Sequence, residues 1–234
     1  MSPPNDLTMY TDYAHEWWND KNSKFRSLQR ISKFKIELIN EWIGDVSGLN
    51  IVDLGCGGGL ISIPLIEMGA NLTGIDISDT SIKVAIKKSK LGGKFFVRNI
   101  KNTELPDDSS DLVILADVLD HIEDYPKILE EASRITKKGG LIFVSTINRT
   151  ILSKIFALYL GEGFGFIPKG THDYKLFIRP HELINNAKLF GLKQIKIQGE
   201  FPKVFSTLIA HAICFRKSTT QALAYSILFQ KDIS

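Results

Sequence analysis

Four carboxylates and one imidazole fall within nine positions in the stretch ADVLDHIED, residues 116–124, directly after the apolar run DLVILA. Donor atoms at that density suit two kinds of chemistry. Carboxylates at a helix start satisfy its free N–H groups and complement its positive end. Acids gathered with a histidine can instead hold a divalent cation. Asp120 or Asp124 is placed to cap a helix beginning near YPKILEE, with Pro126 in its first turn. Both roles stay open on the residues alone.

A second constellation lies upstream. VDLGCGGGL ends an apolar, β-branched run and opens a segment of helical period, so Gly55, Gly57, Gly58 and Gly59 occupy a turn where bare backbone can approach a ligand. Asp76 ends the next strand-like run, TGID, where an acid can accept hydrogen bonds from a ribose diol. Together they point to a nucleoside cofactor. A dinucleotide site prefers G-x-G-x-x-G, whereas position 60 here is Leu and the third glycine is Gly59. The run D-x-G-x-G-x-G resembles motif I of class I S-adenosylmethionine (SAM) methyltransferases, in which the first acid, here Asp53, lies near the methionine end of the cofactor. An NAD-dependent oxidoreductase is the alternative from another class.

These residues need a scaffold that brings several strand ends together. Strands are expected at NIVDLG, NLTGID, KFFVRN, DLVILAD and GLIFVST, alternating with helices near 60–68, 79–91 and 125–137, the last ended by KKGG. Near-continuous apolarity means that both sheet faces are covered, the pattern of a doubly wound α/β fold. After Asn148 the rhythm changes: RTILSKIFALYL reads as a helix, GEGFGFIPKGTHDY as irregular, RPHELINNAKLFG as a helix, LKQIKIQG as a strand and ALAYSILFQK as a last strand.

Bulk properties narrow the field. A chain of 234 residues, 44% hydrophobic, can bury one substantial core, and a single domain is expected over 1–234. The net charge of +3 is too small to imply a nucleic-acid partner. Basic residues nevertheless outnumber acids 11 to 5 over residues 150–234, a distribution suited to anionic lipid or an acidic partner as well as to a solvated face. Two cysteines make no disulfide framework and fit a reducing compartment. No signal-like or spanning segment is evident, so a cytoplasmic location is expected, with a peripheral seat on the inner face of the membrane.

In order and spacing, HEWWND, LQRISKFK, VDLGCGGG, TGID, LDHIED, STINR and PKGTHDYKLFIRPHEL resemble the bacterial ubiquinone-biosynthesis O-methyltransferase family across nearly the whole chain. The resemblance implies a Rossmann-like, seven-stranded, mostly parallel sheet. It also implies an N-terminal helical cap over residues 1–45 and a lid or insertion over 149–180, after strand five. The implied activity is methylation of a catechol hydroxyl on a polyprenylated quinone precursor. Family cofactor contacts fall on Lys35, Gly55, Asp76 and Ala116, with Gly57 in the same loop; Lys35 stands where the family has Arg, a point charge in place of a fork. The family's E-x-x-E-H cation motif falls on Asp117, Asp120 and His121, each carboxylate one methylene shorter. Offsets of three and four put these side chains on one helical face. Oxygen ligands favour magnesium, and the histidine favours a softer metal.

Methyl transfer to a phenolic oxygen requires an in-line approach and a deprotonated acceptor. A divalent cation would lower the acceptor's pKa; without one, His121 or His172 of GTHD is the candidate base. The apolar segment 151–168, flanked by Lys154 and Lys169, is expected to cover the site and dip into the membrane interface, or else to pack as core or as a dimer contact. A different or lipid-like acceptor, and a non-catalytic SAM-binding role within a biosynthetic complex, remain the alternatives.

Overall fold

The computed structural model describes residues 5–19, 24–163 and 165–233. Parts of the expected N-terminal cap (1–4 and 20–23) and Phe164 of the expected lid therefore lie outside the described residues. The first described elements are a short helix α1 (Met9–Asp12), a 3₁₀ turn (Ala14–Glu16) and the long helix α2 (Arg26–Ile43), which ends at Gly44, whose φ is +87°. The alternating core follows: β1 (Asn50–Leu54), α3 (Ser62–Glu67), β2 (Asn71–Asp76), α4 (Asp79–Lys88), β3 (Lys94–Val97), β4 (Ser110–Ala116), a 3₁₀ turn (Leu119–His121), α5 (Tyr125–Ile135) and β5 (Thr136–Ile147). Beyond it lie α6 (Ile151–Lys154), a π-helical segment (Ile155–Gly161), a 3₁₀ turn (Tyr174–Leu176), α7 (Pro180–Leu189), β6 (Leu192–Pro202), α8 (Val204–Ala210), β7 (Phe215–Ser218) and β8 (Ala224–Lys231).

All eight strands form one sheet in the order β3-β2-β1-β4-β5-β8-β6-β7. β1 to β5 are mutually parallel, while β8 runs antiparallel between β5 and β6. The expected seven strands become eight because β7, a short edge segment, pairs antiparallel with β6. Strand order reverses between β1 and β4, and the loops leaving those two strands flank the crevice where ligands bind in open α/β sheets.

Residues on the two sheet faces explain why the strands are buried. Val52, Leu54, Val113 and Leu115 pack with Ile128, Leu129 and Ala132 of α5, and Ile51, Leu112 and Ile114 pack with Leu38 and Ile39 of α2. Each face is thus covered by helices, as continuous apolar strands require.

Two local expectations are corrected, and a third, the helix at RTILSKIFALYL, is borne out with a change of pitch. KKGG does not end α5: the helix stops at Ile135, the Thr136 hydroxyl donates to the Ala132 carbonyl (2.6 Å), and the Lys-Lys-Gly-Gly run lies within β5. Asp124 occupies the N-cap position, but its carboxylate pairs with Lys127 at 2.9 Å and makes no capping hydrogen bond. RTILSKIFALYL is one α-turn, capped by Thr150, that widens into π-helix.

Candidate active site

The turn after β1 is shaped by what presses on it. Gly55 has φ +80°, and a Cβ there would lie 2.5 Å from the Val118 side chain in the loop after β4. A Cβ on Gly58 would lie 2.3 Å from the Trp17 indole. Trp17 and Trp18 explain the WW pair: Trp17 Nε1–H donates to Ser81 Oγ (3.1 Å) and Trp18 Nε1–H to the Gly58 carbonyl (2.8 Å). Trp17 also stacks on Phe25 (4.2 Å between centroids) and Tyr10 (5.8 Å), so an aromatic column lies across the glycine loop.

Beneath this column is a cavity of about 480 Å³ whose wall includes Gly55, Gly57, Asp76, Ile77, Ala116 and Asp117. Asp76 is held in place by two backbone donors, Gly57 N–H (2.9 Å) and Ser78 N–H (2.8 Å). Burial pushes its pKa up, and the backbone donors oppose that rise. Asp53 is close beneath the loop but outside the cavity wall: it is buried and accepts from Ser62 Oγ at 2.6 Å. Burial raises its pKa to about 7, with Ser62 opposing the rise and Asp76 adding to it.

Lys35 is not among the residues lining this cavity. Its ammonium is wholly buried, paired with Glu200 on β6 and 3.6 Å from Asp117 Oδ1. Burial works against the charge, but Asp117 and Glu200 outweigh it and hold the Lys35 pKa above the usual lysine value. Lys35 therefore reaches the cavity only through Asp117, whose side chain is 22% exposed and whose backbone is left-handed (φ +55°). Ser145 braces that turn, its hydroxyl donating to Asp117 Oδ1 (3.0 Å) and its carbonyl accepting the Asp117 N–H (3.0 Å).

The expected ligand set is brought together only in part. Donor atoms of Asp120, His121 and His172 lie within 4.8 Å of one another, and Asp117 is turned away toward Lys35. The left-handed turn at Asp117 breaks the helical spacing that would have put it on the same face as Asp120 and His121. His172 arrives instead from the segment before α7. Each imidazole is oriented through Nδ1: His121 Nδ1 faces Asn5 Oδ1 at 2.9 Å and His172 Nδ1 faces Glu162 Oε1 at 3.3 Å. His121 Nε2 lies 3.8 Å from Asp120 Oδ2, and the cluster of two imidazoles and one carboxylate is a donor set that fits a divalent metal. Burial holds His121 below its usual pKa, against the opposing pull of Asp120.

A second cavity begins at these residues. Asp117, Asp120, His121 and His172 form its polar end; Phe25, Ile31, Phe156, Phe166, Ile167 and Pro168 are among its carbon walls. Tyr10, Leu28, Asp117 and His121 line both cavities. Sequence reasoning did not reach Tyr10, Asn5, Glu162 or Glu200. The aromatic cluster before the glycine loop signalled Tyr10, whereas isolated polar residues carry no pattern.

Comparison with known proteins accords with this geometry. The model of a family described as "Methyltransferase domain" matches residues 52–144. The ubiquinone biosynthesis O-methyltransferase of Nitrosomonas europaea is 35% identical over 84% of this chain and 85% of its own. That of Paraburkholderia xenovorans is 31% identical over 98% and 97%. Magnesium protoporphyrin IX methyltransferase from Synechocystis PCC 6803, solved with bound S-adenosylhomocysteine (SAH), superimposes with a TM-score of 0.68 at 17% identity, over 96% of each chain. The [4+2]-cyclase SpnF superimposes at 0.65 with 14% identity, over 92% of this chain and 86% of that one. A cyclase on the same scaffold shows that the fold alone does not decide the reaction.

The sheet order, the glycine loop and the sequence relatives define a SAM-dependent methyltransferase of class I. Within that class, the chain belongs to the ubiquinone biosynthesis O-methyltransferase family.

Proposed function

We propose that the chain transfers the sulfonium methyl group of SAM to a phenolic hydroxyl of a polyprenylated catechol on the route to ubiquinone. The observation that carries this is the shared wall of the two cavities. Tyr10, Leu28, Asp117 and His121 stand between a crevice suited to a nucleoside and a carbon-walled space with a polar end. A methyl donor on one side and a hydroxyl on the other meet there, as in-line displacement requires.

In the cofactor crevice, Asp76 offers its carboxylate to the ribose hydroxyls, and Gly55 and Ala116 border the same space. Asp76 and Asp117 also give that wall negative charge, which favours a sulfonium over a neutral thioether. Asp53 supports the loop from below through Ser62.

Asp120, His121 and His172 would hold a divalent cation, and a cation bound there would lower the pKa of the acceptor hydroxyl and orient the ring. A second role for His172 is favoured by one observation. Its Nδ1 meets the Glu162 carboxylate, the arrangement of a general base with its orienting acid, so Nε2 can take the phenolic proton directly.

The segment 151–161 presents Ile151, Ile155, Tyr159 and Leu160 to solvent beside Lys154. No helix among the described residues is long and apolar enough to cross a membrane. Contact with a bilayer would thus be peripheral, through this face, where a polyprenyl substrate resides.

The test is methyl transfer from labelled SAM to a short-chain prenyl catechol, with and without chelator and with Mg²⁺, Mn²⁺ or Zn²⁺ restored. A methyl ether product is expected. Absence of product from any catechol, with transfer to another acceptor class, would overturn the assignment. Retained activity after exhaustive chelation, lost in His172→Ala, would assign the proton to His172 without metal.

A further inference from the structure

Phe156 and Phe166 wall not only the acceptor cavity but also a neighbouring gap of about 240 Å³, completed by Leu160, Pro202, Val204, Thr207 and Leu208. The gap lies between the π-helical segment and α8. Its accessible wall is entirely apolar, and Leu160 and Leu208 at its rim are exposed. The two spaces lie on either side of Phe156 and Phe166, the inner one bordered by Asp117 and His121 and the outer one walled by carbon.

Its walls are braced by hydrogen bonds outside the gap. Ser27 on α2 donates to the Phe166 carbonyl (2.6 Å) and accepts the Ile213 N–H (2.9 Å), so one hydroxyl ties the lid loop to the chain leaving α8. Thr207 Oγ1 accepts the Cys214 N–H (3.1 Å), and the Lys203 N–H donates to the Cys214 carbonyl (2.7 Å), which closes α8 into a compact loop beside the gap. A solvent-open gap with a carbon wall can satisfy neither a headgroup nor ordered water, but it suits uncharged hydrocarbon.

We propose that this gap seats the isoprenoid tail of the acceptor, with Phe156 and Phe166 as its threshold and α8 as the element that sets tail preference. The inference rests on the acceptor class proposed above and adds where its tail lies. Adjacency to the acceptor cavity selects this occupant over a free lipid or a protein segment, because only Phe156 and Phe166 stand between a ring held at His121 and the outer gap.

Steady-state kinetics with catechols bearing no, one or three prenyl units, free of membrane and detergent, tests this for the wild type, Leu208→Trp and Leu208→Asp. In the wild type kcat/KM rises with tail length, on the order of tenfold or more from none to three units, because each buried methylene adds affinity. In both variants the ratio of three-unit to tail-less kcat/KM falls toward one. A wild type indifferent to tail length, or variants that keep the full ratio, would overturn the proposal. Photolabelling with a three-unit isoprenoid alcohol carrying a terminal diazirine is the independent arm. Labelling of peptides containing Leu160 or Leu208 supports the seat, and labelling confined elsewhere refutes it. Labelling at Leu208 in a protein that methylates no catechol would sink the acceptor assignment and leave the isoprenoid seat standing.

Discussion

Lys35 of α2 and Glu200 of β6 form an ion pair removed completely from water, and the same ammonium reaches toward Asp117 at the wall shared by the two cavities. Ser226 Oγ donates to the second Glu200 oxygen (2.6 Å), so the buried carboxylate is satisfied on both sides. A pair of this kind contributes little net stability against an apolar replacement, yet breaking it leaves a charge stranded. Glu200→Gln should therefore cost roughly 3–5 kcal/mol in denaturant unfolding. The double change Lys35→Met with Glu200→Leu should cost far less, since no charge is stranded. If the pair also fixes Asp117, the double variant folds but loses kcat with little change in the KM for SAM. A double variant with wild-type kcat would reduce the pair to a structural role.

Asp76 is the second site where one change separates roles. Its carboxylate accepts two backbone N–H bonds that fix the glycine loop and borders the space assigned to the ribose. Hydrogen bonds to a charged group are worth about 1.5–3 kcal/mol. Asp76→Ala should thus weaken SAH binding on the order of 10- to 100-fold by calorimetry. Asp76→Asn keeps one carbonyl acceptor and should fall between. An unchanged dissociation constant in Asp76→Ala would remove the ribose contact.

Much of the fold and part of the site are legible in the sequence. β1 and β4 announce themselves through β-branched runs buried on both faces, and the glycine loop through residues that tolerate neither Val118 nor Trp17 against a Cβ. α8 and β7 were not legible. Phe205 and Ile209 of α8 are 83% and 81% exposed, so its apolar residues give no buried stripe to mark a period, and FRKS is a four-residue edge without alternation. The Lys35–Glu200 pair joins positions 165 residues apart, which no local pattern reports. The donor atoms that come together differ from the expected set for a local reason. Helical spacing would set Asp117 beside Asp120 and His121, but its left-handed backbone turns that side chain toward Lys35, and His172 enters from a distant loop.

Asp53 predicts a pH dependence of stability. Burial raises its folded pKa to about 7, well above the usual carboxylate range, so the native state holds this proton over a range where the unfolded chain has released it. Its contribution is fully present below the unfolded pKa and is lost as pH rises through about 7. Each tenfold difference in proton affinity corresponds to about 1.4 kcal/mol. Asp53→Asn keeps an acceptor for Ser62 and cannot ionise. Urea unfolding between pH 4 and 8 should show wild-type stability falling relative to the variant, with the gap levelling off above pH 7. Parallel profiles for the two proteins would mean that Asp53 is ionised throughout.

The metal question turns on His172 against Asp117. Donor atoms of Asp120, His121 and His172 converge within 4.8 Å, and Asp117 is held by Lys35 and Ser145. If that convergence is a ligand set, His172→Ala removes a ligand and Asp117→Asn does not. Calorimetric titration of the apoprotein with Zn²⁺ and Mn²⁺ should then show affinity falling at least 100-fold in His172→Ala and less than about threefold in Asp117→Asn. Glu162→Gln, which loosens the His172 ring without removing it, should cost roughly 10- to 100-fold, the scale of a lost outer-shell partner. Mg²⁺ should bind more weakly than either transition metal, because two of three donors are imidazole nitrogens. The opposite ranking, with Asp117→Asn abolishing binding and His172→Ala neutral, would restore the Asp117, Asp120 and His121 set. Heat signals indistinguishable from dilution for every metal would leave His172 with its Glu162 partner as the proton acceptor.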